Sequence, residues 1–299
     1  MIALYRSEIQ LLFYAEQFFY AMAYTHHQIG DDIPDFVAKM LFLEYILLSR
    51  KELGKMPEKP AAVRTIVTSP FIDYICKKYG VKVFECLTGF KWIAAVEASM
   101  EKDNSASYVF GFEESYGYKI EKEVFDKDGI SASAMCAEMT LYWRSKGKSL
   151  LEHLDDMYKE YGYFEDKTIE QYFPGPTGGN AMRGIMTKLR NEGLKTLGGK
   201  RVKEIRDIER SVSFDPANPA ATRPVDLPKS NVLQFFLDDG TIVSARPSGT
   251  EPKIKFYINC TVPVSGNNDA GLVQAKKEAA LLRDAIASEI KATLDAASQ

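Results

Sequence analysis

Histidine and cysteine are scarce in this chain of 299 residues. The three histidines are His26, His27 and His153, and the four cysteines, Cys76, Cys86, Cys136 and Cys260, form no Cys-x-x-Cys pair. That scatter reads as reduced, cytosolic thiols packed mainly in the core. Cys136 lies in an apolar helical pattern, which suits packing rather than catalysis. No charge of one sign prevails: 38 Lys and Arg face 41 Asp and Glu, a net charge of −3. No basic stripe interleaved with aromatics is present, which argues against a nucleic-acid partner. Long apolar runs are lacking too. Leu11 to Tyr24 is dense in Phe and Tyr, but Glu16 and Gln17 interrupt it, so it is too short and too polar for a transmembrane helix. The start of the chain lacks the basic segment and small-residue cleavage site of a secretory signal. The acidic cluster Asp31-Asp32-Ile33-Pro34-Asp35 reads as a helix-ending turn rather than a metal site. A soluble, cytoplasmic protein without a membrane partner is the expectation. No internal repeat or low-complexity run occurs.

What is present is concentrated in polar loops. Arg246-Pro247-Ser248-Gly249-Thr250-Glu251-Pro252-Lys253 has the chemistry of a phosphate site. Arg246 offers a planar fork of donors that fits two phosphate oxygens. Ser248 and Thr250 add hydroxyl donors, Gly249 lets the backbone approach an anion, and Lys253 adds a point charge. The flanking runs, 241–245 and 254–258, are β-branched or aromatic, so the loop is expected to join neighbouring strands. A plain surface hairpin needs turn residues, but not an Arg, two hydroxyls and a Lys together. A second loop, Gly111-Phe112-Glu113-Glu114-Ser115-Tyr116-Gly117, follows the strand-like run 107–110. Paired carboxylates at a strand end suit neighbouring sugar hydroxyls, and Glu113 and Ser115 share a face if strand geometry persists. A solvated acidic turn fits this loop equally well. A third, Thr88-Gly89-Phe90-Lys91, follows the strand-like run 81–87, and loops at the carboxyl ends of strands are where α/β folds bind ligands. Lys91 suits a phosphate or hydroxyl there, or bare solvent.

The remainder alternates. Phe42 to Leu53 reads as a helix, 62–68 as a strand, and Ser69-Pro70 as the cap and first position of a helix ended by Lys77, Lys78 and Gly80. The run 81–87 is a strand, a helix extends to about Met100, and 129–143 is another helix. Ser149-Leu150-Leu151-Glu152 is a capping box. Gly175-Pro176-Thr177-Gly178-Gly179 reads as a linker, with Asn180 capping the next helix; no P-loop Lys-Ser/Thr follows it. Strand-like runs at 202–208, 232–237, 241–245 and 254–259 precede a final helix with Leu272, Ala275, Ala279, Leu282, Ile286 and Ile290 at core spacing. The fold class is α/β: a βαβ-type mixed-sheet domain over 38–170, then a smaller α+β domain with an antiparallel sheet over 171–299. Residues 1–37 form an atypical helical segment, either buried or a contact helix.

Four segments in order carry a family resemblance: Leu87–Trp92, Gly111–Tyr118, Asp126-Lys127-Asp128-Gly129 and Arg246–Tyr257. They resemble the third and fourth domains of the α-D-phosphohexomutase superfamily, the phosphoglucomutases and phosphomannomutases, and especially the phosphoglucomutase–phosphopentomutase branch. The likeness covers about residues 38 to 299. It implies that Glu113 and Ser115 contact sugar hydroxyls and that Thr88, Gly89 and Lys91 read the sugar's orientation. It also implies that Arg246, Ser248, Gly249 and Thr250, beside Lys253, hold the phosphate that is not transferred. Lys127 matches an auxiliary basic residue near the reacting phosphate; Phe125 stands where the family often has Arg. The family's phosphoserine loop, of Thr-Ala-Ser-His-Asn-Pro type, and its Asp-x-Asp-x-Asp magnesium loop are not found here. The resemblance therefore implies the sugar-recognition half of an isomerase, an intramolecular phosphotransferase, moving phosphate between C1 and C6 (or C5). No catalytic or metal-ligating residue is expected in this chain. Magnesium is expected for the complete enzyme, with glucose 1,6-bisphosphate as intermediate or activator. The chain is expected to be inactive alone. A non-catalytic sugar-phosphate module, or a subunit completed by a partner chain carrying the missing loops, are the alternatives.

Overall fold

The computed structural model describes residues 35–114, 117–120, 124–174, 178–249 and 251–297. Ser115, Thr250 and the segment before Asp35 therefore lie outside the described residues, as do the expectations placed on them. The chain divides into two compact units, 1–157 and 158–299.

The first unit opens with α1 (Asp35–Glu52). Residues 37–47 of it are all buried, as befits a helix apolar nearly all round. It packs on α2, α4 and β3. Its buried carboxylate Glu44 accepts from the Tyr79 hydroxyl at 2.7 Å and lies 3.1 Å from His153 Nε2, whose ring stacks on Trp143. Then come β1 (Pro60–Thr65), α2 (Phe71–Tyr79), β2 (Lys82–Cys86), α3 (Phe90–Asp103) and β3 (Ser107–Phe112). β1 pairs in parallel with both β2 and β3, and β4 (Tyr118–Lys119) closes the sheet antiparallel to β3, in the order β2-β1-β3-β4. Apolar side chains of α3, Phe90, Ile93 and Met100, cover Ala61, Val63 and Tyr108. α2 ends as expected at Gly80, whose φ of 67° is the left-handed conformation glycine adopts without strain. Its start differs slightly: Pro70 is the flanking residue, and the Ser69 hydroxyl reaches the Phe71 N–H only at 3.5 Å. α4 (Gly129–Ser145) and α5 (Leu150–Tyr161) follow. The capping box forms: Ser149 N–H donates to Glu152 at 2.7 Å, and Glu152 N–H donates to the Ser149 hydroxyl at 3.2 Å.

The second unit is an antiparallel sheet backed by two helices. Its strands are β5 (Tyr163–Tyr172), β6 (Thr196–Leu197), β7 (Lys200–Asp207), β8 (Val212–Phe214), β9 (Arg223–Pro224), β10 (Leu233–Leu237), β11 (Ile242–Pro247) and β12 (Lys253–Val262). They run β5-β12-β11-β10-β7-β8-β9, with β6 beside β7. α6 (Gly178–Glu192) and α7 (Asp269–Ala297) cover one face. The expected α7 stripe, Leu272 through Ile290, is buried throughout.

The mixed-sheet unit followed by an antiparallel one is the fold class read from the sequence. One local reading is corrected: α6 begins at Gly178, not after an Asn180 cap. Residues 163–172 form β5, a strand the sequence reading did not include, paired along its length with β12. Among the described residues, no helix is long and apolar enough to cross a membrane.

Candidate functional site

Parallel pairing brings the carboxyl ends of β1, β2 and β3 to one edge of the first sheet: Thr65 lies beside Cys86, and Arg64 beside Phe112. The loops that leave there are polar. Glu114 accepts from the buried Thr65 hydroxyl at 3.1 Å, and Thr65 in turn lies 2.8 Å from the Thr68 hydroxyl. The Cys86 thiol is pushed up to about 12, first by burial and then by the Glu113 carboxylate, so Glu113 projects its field onto the end of β2. Gly89, the residue before α3, has φ 117°, a backbone region glycine favours. Lys91 follows in the first turn of α3, exposed, with Nζ 5.3 Å from the Trp92 ring.

The third loop joins this edge through Phe90. A Cβ placed on Gly117 would lie 2.6 Å from the Phe90 ring and 3.1 Å from Cγ of Lys127. Lys127 Nζ sits 5.0 Å from the Phe90 ring centroid and 3.0 Å from Asp126. Asp128 caps α4, accepting from the N–H groups of Ile130 at 3.0 Å and Ser131 at 3.2 Å. The loops carrying Phe90, Gly117 and Lys127 are thus in mutual contact, as segments that build one site must be. Beneath them, Lys119 and Glu97 form a buried ion pair with 2.6 Å between Nζ and Oε2. The pair is poorly aligned as a hydrogen bond, and Glu97 Oε1 has no hydrogen-bond partner.

In the second unit, Arg246 to Lys253 is a hairpin between β11 and β12, as expected. Ser248 N–H donates to the Lys253 carbonyl at 2.8 Å, and the Ser248 hydroxyl accepts from Glu251 N–H at 3.3 Å. Arg246 Nη1 reaches the Tyr257 hydroxyl at 3.4 Å. A Cβ on Gly249 would meet nothing within 4 Å, so packing imposes no glycine there. The Lys253 ammonium contacts Glu251 at 2.8 Å, Tyr172 Oη at 3.0 Å and Glu170 at 3.4 Å.

Two groups escaped the reading of the sequence. Glu114, the second carboxylate of its loop, is tied to β1 by Thr65; a carboxylate doublet was the available signal, but its partner lies 49 residues away. Glu170 and Tyr172 sit on the unrecognised β5.

Residues 39–161 match the model of the phosphoglucomutase/phosphomannomutase α/β/α domain III. This stretch is a third domain of the phosphoglucomutase/phosphomannomutase family. A phosphoglucomutase of Staphylococcus haemolyticus is 32% identical over 225 residues, which is 74% of this chain and 39% of that protein. A Staphylococcus aureus phosphoglucomutase is 33% identical over 201 residues, 67% of this chain and 36% of that protein. The chain thus spans well under half the length of the curated relatives it matches. Among solved structures, Paramecium pp63/parafusin, a phosphoglucomutase in its open form, shares the fold with a TM-score of 0.53 at 20% identity, covering 88% of this chain and 41% of that one. The resemblance to the α-D-phosphohexomutase superfamily read from the four segments is borne out.

Proposed function

We propose that the chain is the sugar-recognition and phosphate-binding half of a phosphoglucomutase/phosphomannomutase-type isomerase, moving phosphate between C1 and C6 (or C5) of a sugar phosphate. The observation that carries this is the meeting of Phe90, Gly117 and Lys127 at the sheet edge where Glu113 and Glu114 emerge, inside a segment that is a family third domain. Glu113, with Ser115, accepts from sugar hydroxyls; Thr88, Gly89 and Lys91 read their orientation. Arg246, Ser248, Gly249 and Thr250 bind phosphate, Arg246 supplying the bidentate fork. Lys127 is an auxiliary charge near the reacting phosphate.

Transfer itself needs a phosphoserine and a magnesium ion, which neutralises developing charge. Among the described residues, no group of three His, Cys, Asp or Glu side chains is placed to hold a metal. The serine and metal loops would come from elsewhere, and the chain alone is inactive. A partner chain could supply them. Four buried cysteines, none in a disulfide, agree with a reducing, cytoplasmic setting.

Calorimetric titration with glucose 1,6-bisphosphate tests the reading. Binding is expected, weakened about tenfold or more by Arg246→Ala, the loss of a charge-assisted pair. No heat at about millimolar ligand would overturn it. Interconversion of glucose 1-phosphate and glucose 6-phosphate by the chain alone would overturn only the inactive-alone part.

A further inference from the structure

β4 is only two residues long and meets β3 at two rungs, Phe112 with Tyr118 and Gly111 with Lys119. Between the rungs lies the loop that carries Glu113 and Glu114. So short a strand fixes its end of the loop weakly, and side chains add the rest. The Tyr108 hydroxyl donates to the Lys119 carbonyl at 2.6 Å. It passes over Gly111 to do so, since a Cβ there would lie 2.7 Å from that hydroxyl. Burial first, and then the Glu97 carboxylate, push the Tyr108 hydroxyl up, which keeps it a protonated donor. The Lys119 side chain is fully buried, with Nζ 4.6 Å from the Tyr108 ring centroid and 2.6 Å from Glu97 Oε2. Glu97 is itself 3% exposed and lies on α3, the helix whose first turn carries Phe90 and Lys91.

A buried ion pair recovers its desolvation cost only when hydrogen bonds satisfy the remaining lone pairs. Neither oxygen of Glu97 has a hydrogen-bond partner, so an apolar pair of equal volume would serve stability as well. What the charges add is a place, because an ammonium and a carboxylate out of water are held where they meet. Resting on the sugar reading of this edge, we infer that Glu97 and Lys119, with Tyr108, are positioning residues that pin β4 to α3. The pin sets the Glu113–Glu114 loop at a fixed distance from the Thr88–Lys91 loop, so that both meet one sugar. Glu97 and Lys119 act through these loops from below and reach no ligand themselves.

The test is the double variant Glu97→Leu/Lys119→Met in the full chain, which nearly keeps volume and removes both charges. The folded variant is expected to keep or raise its urea midpoint. Its affinity for glucose 1,6-bisphosphate should fall about tenfold, the loss of one hydrogen bond to a charged group on a displaced loop. Its affinity for inorganic phosphate, a probe of the Arg246 hairpin in the other unit, should not move. A pair that served stability alone would give the opposite pattern, a lower midpoint with sugar binding intact. Undiminished glucose 1,6-bisphosphate binding by the folded variant would overturn the proposal, and so would an equal loss for both probes. Should the variant not fold, Tyr108→Phe decides, because it removes only the hydroxyl tie to β4. It should weaken glucose 1,6-bisphosphate binding about threefold, and full affinity overturns the proposal. If the wild type binds no glucose 1,6-bisphosphate, the sugar reading fails. Amide hydrogen exchange in whichever variant folds then judges the pin alone. Faster exchange over 118–119, with 108–110 still protected, upholds it, and unchanged exchange overturns it.

Discussion

A methyl group added at Gly111 would lie 2.7 Å from both Cγ2 of Ile93 and the Tyr108 hydroxyl. Both neighbours are buried, and Tyr108 is anchored by its 2.6 Å bond to the Lys119 carbonyl. Gly111→Ala should therefore cost about 1–3 kcal/mol through overpacking, seen as a lower urea midpoint. Gly249 has no such obligation. Gly249→Ala should leave stability unchanged or raise it by up to about 1 kcal/mol, yet weaken glucose 1,6-bisphosphate binding, because the methyl group would stand where the anion approaches. Undiminished binding would remove Gly249 from the site. At this scale the sequence displayed residue types well and partners poorly. Arg246 and the hydroxyls beside it were legible because they are contiguous. The engagement of Lys253 was not, since Glu170 and Tyr172 precede it by 83 and 81 residues.

Elements whose signals are local were legible with small boundary shifts. The Ser149–Glu152 box forms both reciprocal bonds, and Ser149→Ala should cost about 1 kcal/mol by leaving N-terminal donors of α5 unpaired. Chemical denaturation monitored by circular dichroism would show it. The α7 stripe was equally plain, because six apolar residues at helical spacing need no knowledge of what they cover. β5 was missed for a physical reason. It is the outermost strand of its sheet, and only Phe164 of its ten residues is buried. An edge strand carrying Glu165, Asp166, Lys167 and Glu170 guards against pairing with other chains. The same charges break the apolar alternation by which a strand is read from sequence.

Over the whole molecule, alternation of strands and helices announced the first unit, and closely spaced strands before one long helix announced the second. The topology that places β5 beside β12 came only from the fold. Acid sensitivity belongs at this scale too. Lys255 holds Glu170 low, the Ala217 N–H holds Asp215 low, Arg283 holds Asp284 low and the Ser149 N–H holds Glu152 low. A carboxyl lowered in the folded state contributes stability above its unfolded pKa and loses it as pH falls through the folded one. Asp73 works the other way: burial raises it against the pull of Arg64, so its contribution is present in acid and lost as pH rises. The lowered groups outnumber it. The urea midpoint is expected to fall from neutral pH to about pH 3, each exposed group contributing little; a midpoint that rose on acidification would contradict this. The interior thiols carry one practical consequence. All four cysteines are buried, and burial pushes Cys76, Cys86 and Cys260 up to about 12. Alkylating reagents attack the thiolate, so the folded chain is nearly blank to maleimide dyes. A single cysteine introduced at Ile130, 84% exposed and three residues from Lys127, would take a fluorophore alone and signal a sugar phosphate arriving beside it.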